Sequence, residues 1–174
     1  MRGLIALAVA LGSAQAACTP ALDWRESRPD GSQAQLMFPC KPASHERRVV
    51  IAGQTTPMSM FACSAGETVY ALSFADVKDP ARVGAALDEL ARSAQSNLQS
   101  QSGAASEPVK VAGMTPHPQS AQWRLAGRLP DGRVVEERVA VFSHGTRIYQ
   151  ATMLGAKLEA EAQDMFFGAL RVGP

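Results

Sequence analysis

Residues 121–154 read AQWRLAGRLPDGRVVEERVAVFSHGTRIYQATML, and the fold is decided in this stretch. Ala121, Trp123 and Leu125 alternate with Gln122, Arg124 and Ala126, the period of two that sends successive side chains to opposite faces of a strand. Pro130-Asp131-Gly132 supplies turn chemistry before a second strand over 134–142. Ser143-His144-Gly145-Thr146 supplies it again before a third over 147–154. Tight turns between such runs make hairpins, so the stretch predicts a three-stranded antiparallel meander.

Working back toward the N-terminus, residues 69–74 (VYALSF) predict another strand, with Val69, Ala71 and Ser73 on one face and Tyr70, Leu72 and Phe74 on the other. Asp79-Pro80 then marks a helix start, aspartate as the cap and proline in the first turn. Val83, Leu87, Leu90, Ala94 and Leu98 follow at steps of three or four and form one apolar stripe, while Asp88, Glu89, Arg92 and Gln95 fall mostly elsewhere. That is the pattern of a helix covering a sheet. Earlier still, Asp30-Gly31 predicts a turn, 33–38 a short strand ended by Pro39-Cys40-Lys41-Pro42, and 47–52 a strand turned back over 53–57. The polar stretch 99–108 reads as a loop, and Leu158, Ala162, Met165, Phe166, Ala169 and Leu170 trace a closing helix. The expectation is an α+β domain: an antiparallel β-sheet flanked by helices.

The ends of the chain carry different information. Met1-Arg2, an apolar run over 4–11 and Ala14-Gln15-Ala16 make the pattern of an export signal. Cleavage is expected after Ala16, leaving one domain over 17–174 in the periplasm or outside the cell. No other run is long enough to be expected to span a membrane. Cys18, just past that site, invites a lipid anchor, although Gln15 stands where an aliphatic residue is usual. The alternative is a free cysteine in an N-terminal arm.

Export makes disulfides durable, and three cysteines allow one bridge and one odd thiol. Cys40 and Cys63 both close strand-like runs, so they are the expected pair, as a structural staple and not a redox centre. Composition narrows the function classes. Of the 174 residues 46% are apolar, and 17 Lys+Arg stand against 16 Asp+Glu. Loss of Arg2 with the signal removes the remaining net charge. A neutral domain is a poor match to nucleic acid or to an anionic membrane surface.

A resemblance joins these elements. Phe38-Pro39-Cys40-Lys41-Pro42, Tyr70-Ala71-Leu72-Ser73-Phe74-Ala75-Asp76, the middle helix, Arg147-Ile148-Tyr149-Gln150 and Phe166-Phe167-Gly168-Ala169-Leu170 resemble the PsbP-like families over about residues 22–172. Cys40 stands where those families commonly have glycine. The resemblance implies an α/β/α sandwich and a non-enzymatic interaction or accessory role, with no metal or cofactor residues to carry over.

The residues name no reaction. His45, in a charged loop, His117, between two prolines, and His144, in a hairpin turn, lack second ligands at useful spacing. Glu136 and Glu137 are adjacent in a strand and so face opposite ways, which prevents them from acting as an acid/base pair. Lys41, Arg47 and Arg48 form a small basic group beside Glu46, either a solvated edge or a contact for an acidic partner. Met58 and Met60 share a face and are expected in the core. The leading expectation is therefore an exported, non-catalytic module that binds an unknown envelope protein, with no cofactor. The alternatives are a module binding a small apolar ligand between sheet and helix, and an enzyme of unrecognised type.

Overall fold

The structure is a computed structural model that describes residues 22–98 and 105–173. The expected export signal, Cys18 and residues 99–104 of the polar stretch lie outside the described residues.

The chain opens with β1 (Arg25–Ser27) and β2 (Ala34–Phe38), then β3 (Ala43–Ile51), β4 (Gln54–Ala65) and β5 (Thr68–Asp76). A 3₁₀ turn (Pro80–Arg82) leads into α1 (Val83–Asn97). After it come β6 (Glu107–Pro108), β7 (Ala121–Arg128), β8 (Val134–His144), β9 (Arg147–Gly155), α2 (Ala160–Gly168) and β10 (Arg171–Val172). The larger sheet has seven strands in the order β3-β4-β5-β9-β8-β7-β6, all antiparallel, and the smaller has the order β1-β2-β10. This is an α+β architecture. Two meanders, β3-β4-β5 and β7-β8-β9, are joined by α1 and meet where β5 pairs with β9, Phe74 opposite Tyr149.

Each face of the large sheet has its own core. On one side Val83, Leu87, Leu90, Ala94 and Leu98 of α1, with Leu98 just past its end, pack over Trp123, Leu125, Val139, Val141 and Ile148. The whole stripe expected from the sequence is buried. Asp79 caps the helix entry, its carboxylate accepting from Ala81 N at 2.9 Å. The far end docks tightly: a Cβ on Gly127 would stand 2.3 Å from the Leu98 carbonyl oxygen, which instead accepts from Arg128 N at 2.9 Å. Glycine is required there by contact, since any side chain would push α1 off the sheet.

On the other side lie the small sheet and α2. Leu36, Phe38, Tyr70, Phe142, Tyr149 and Phe166 form the centre of this second core. Phe166 meets Phe38 and Tyr70 edge-on at 5.5 Å each. The Tyr149 hydroxyl, deep in the layer, donates to the Ser32 carbonyl at 2.6 Å, so the ring is buried without stranding its polar atom.

Several expectations need correction. The turn placed at 53–57 is only Ala52-Gly53, both with positive φ (45° and 74°), and Gln54–Pro57 already belong to β4. Pro57 is tolerated because β5 pairing begins at Met58, leaving Pro57 a strand neighbour on one side only. Strand β3 starts at Ala43, so His45 lies in a strand and not in a loop. Glu107 and Pro108, read as loop, pair with Gln122 and Ala121 as β6. Met165 points outward with 40% exposure, and α2 ends at Gly168, before Ala169 and Leu170.

Candidate functional site

The cysteines come first, because they were the site residues expected. Cys40 and Cys63 are bonded, with Cα atoms 6.0 Å apart. Register explains the pairing: Ala43 lies opposite Ala62, so the chain just before β3 runs beside the end of β4. The bridge fastens the open end of the β3–β4 hairpin, which is a structural position.

The remaining expected residues are scattered. His45 is exposed on β3. His117 accepts from Gln119 N through Nδ1 at 3.3 Å and lies beside Gly84 of α1. His144 Nδ1 lies 2.7 Å from the Gly113 carbonyl, which can only accept, so that nitrogen carries the proton. Arg47 is opposite Met58 and Arg48 opposite Pro57, hence on opposite faces of the edge strand β3; with Lys41 they do not make one basic patch. Met58 is in the core as expected, but Met60 is 38% exposed, lying on a part of the sheet that α1 does not cover.

Glu136 and Glu137 do face opposite ways. Glu136 accepts from Leu158 N at 3.1 Å on the α2 side. Glu137 is on the α1 side, between Val135 and Val139 along β8 and between Leu125 and Leu154 on the neighbouring strands. It is 7% exposed, and burial raises its pKa to about 7. One lone carboxyl among aliphatic side chains can hold a proton near neutrality. It has no acid/base partner in its twin.

Sequence reading missed one concave feature of the described residues. Helix α2, the segment 108–111 and the α2 side of β7 and β8 enclose a cleft of about 480 Å³. Its floor is Gln122, Arg138 and Ala140, and its apolar walls include Val109, Val111, Phe167 and Leu170. The positions follow from strand alternation: Gln122 and Arg124 point away from Trp123 and Leu125, and Arg138 away from Val139. Segment 108–111 is held by the residues after it. Ala112 bridges to Arg171, and Val172 N donates to the Ala112 carbonyl at 2.9 Å. Gly113 adopts φ +82°, and a Cβ there would sit 1.8 Å from the Val172 carbonyl oxygen. Only glycine fits.

Polar groups in the cleft are fixed by one another. Arg138 lies over the Phe167 ring, 4.4 Å from guanidinium carbon to centroid, and donates to Gln122 Oε1 at 3.1 Å. Gln122 Nε2 in turn donates to the Pro108 carbonyl at 3.2 Å. Arg124, directly opposite Arg138 in the β7–β8 register, donates to Gln163 Oε1 at 2.7 Å. The buried Gln163 is anchored by its own bond to the Leu158 carbonyl at 3.0 Å. Desolvation and the Arg124 charge lower the pKa of Arg138, against the opposing fields of Asp164 and Glu107. Among the described residues neither guanidinium forms an ion pair. Two like charges held side by side in a sheet are unfavourable by themselves.

Compared with protein-family models and with curated proteins, the chain matches none. No helix among the described residues is long and apolar enough to cross a membrane.

Proposed function

We propose that this protein is an exported, non-catalytic binding module of the cell envelope, PsbP-like in fold, that works through the cleft between α2 and the sheet. The observation that carries the reading is the arrangement inside that cleft. A guanidinium, two amides and a phenyl ring are each held by a named neighbour, in a recess of about 480 Å³. That volume is in the range of about 300–1,000 Å³ typical of small-molecule sites. Such groups orient and neutralise a bound molecule. Arginine keeps its proton near neutrality and an amide does not titrate, so neither serves as a general base.

Export is supported by the Cys40–Cys63 bond, since a disulfide persists in an oxidising compartment. The PsbP-like reading is supported by the order of elements, a sheet with α1 on one side and α2 on the other. An envelope protein that docks through a side chain or chain end, and a small ligand held whole, would both use the same recess. The cleft has polar groups on its floor, so the purely apolar ligand of the sequence expectation fits it less well.

Native mass spectrometry of the protein purified from envelope extract tests the proposal. The expected spectrum contains a species heavier than the bare chain, a bound small molecule or a partner, and that species is lost in Phe167→Ala. A spectrum of bare chain alone at native abundance contradicts it.

A further inference from the structure

We infer that the cleft between α2 and the sheet is a site for a small carboxylate carried on an apolar chain. The inference rests on the reading of that cleft as the binding site and specifies what enters it. Arg138 is the innermost charge: it is half-buried on the floor, whereas Lys110 and Asp164, of opposite sign, are both exposed in the cleft lining. At the mouth Lys110 stands against Asp164 and the neighbouring Glu107, and the charge a ligand meets at depth is positive.

The guanidinium is prepared for a carboxylate. Its contact with the Phe167 ring and its bond to Gln122 fix its position, and that bond uses one of its five N–H donors. Donors remain for the paired N–H···O bonds that match a carboxylate's two oxygens. Arg124, opposite in register, adds a second positive charge without an ion pair of its own. A second recess of about 280 Å³ shares Arg138 and Gln163 with the first and is lined by Arg124 as well as by Glu136. An anion at Arg138 thus relieves the Arg124–Arg138 repulsion, which nothing else among the described residues does by direct pairing. Beyond the head-group position the lining turns apolar, with Val109, Val111, Ala140 and Leu170. A hydrocarbon chain there leaves water, and each buried CH₂ contributes about 0.8 kcal/mol. Acetate has the head and lacks that gain.

Calorimetric titration of the full chain with octanoate, octanol and octylamine tests the assignment. Octanoate is expected to bind at least about tenfold more tightly than octanol, with octylamine weakest. Arg138→Met keeps the aliphatic stem and removes the charge. It should lose about tenfold or more in octanoate affinity and leave octanol binding unchanged, with folding checked by circular dichroism. Should that variant not fold, the wild-type ligand series decides by itself. Equal binding of octanoate and octanol, or an octanoate Kd above about 1 mM, overturns the carboxylate assignment. A chain that carries a co-purifying species and ignores octanoate overturns this inference alone. One that carries none and ignores octanoate overturns the binding-site reading as well.

Discussion

Among the described residues, Glu137 is the titratable group whose environment departs furthest from its chemistry. A carboxylate in water has a pKa near 4.5, and burial between Val135, Val139, Leu125 and Leu154 raises that of Glu137 to about 7. A folded-state pKa above the unfolded one means that the native state binds the proton more tightly. The stability this contributes is complete below about pH 4.5 and is lost as pH rises through about 7. Over that window the loss is about 3 kcal/mol. Denaturant midpoints at pH 5 and pH 8 should therefore differ clearly in the wild type and much less in Glu137→Gln, which keeps the shape and cannot ionise. Identical pH dependence in both proteins would show that Glu137 is not the titrating group. The sequence held a sign of this burial: Glu137 is in phase with Val135, Val139 and Val141, so alternation alone put it on the apolar face. Its adjacency to Glu136 drew attention to a pairing that strand geometry forbids.

At the scale of elements, what could be read from the sequence was set by how purely local each signal was. Strands β7, β8 and β9 and helix α1 were legible because alternation and the three-or-four spacing extend over whole elements with turn residues between them. The β3–β4 hairpin was legible only in outline, with its turn read too long, because Ala52-Gly53 is a two-residue turn with a non-glycine residue at positive φ, and because Pro57 resembles a strand breaker. Tertiary contacts hold that turn. Glu89 of α1 accepts from Ala52 N at 2.8 Å, and Arg82 donates to the Ala52 carbonyl. The same hairpin is fastened at its open end by Cys40–Cys63, a separation of 23 residues. A loop of that length gives a stabilisation of about 3 kcal/mol from the restricted unfolded chain. Replacing both cysteines by serine should lower the unfolding free energy by that amount, read from denaturant curves. Thiol labelling of the full chain, unfolded but not reduced, should modify Cys18 alone. Labelling at Cys40 or Cys63 would contradict the pairing.

For the whole molecule, the decisive fact is the difference between the two faces of one sheet. Helix α1 packs its aliphatic side chains over Trp123 and the aliphatic side chains of its face. On the other face the small sheet and α2 cover β5 and β9, and a cleft remains over β7 and β8. The site is assembled from residues 108–111, 122, 138–140 and 163–170, four segments that no local pattern connects. In sequence Arg124 is one of the residues that alternate with Trp123 and Leu125; its direct opposition to Arg138 needs the β7–β8 register, and the Arg138–Phe167 contact needs the return of α2. The fold class was thus available from periodicity, and the site was available only from packing. Gly168 gives the most direct access to the central claim, that this cleft is where the protein binds. It lines the cleft, and a Cβ there would meet nothing within 4 Å. Val50, 73% exposed near the end of edge strand β3, is the matching position outside the cleft. With a photoreactive aromatic residue placed at Gly168 or at Val50, irradiation in intact envelopes should yield a discrete adduct from the first position and not the second. The same adducts from both, or none from Gly168, would contradict the account.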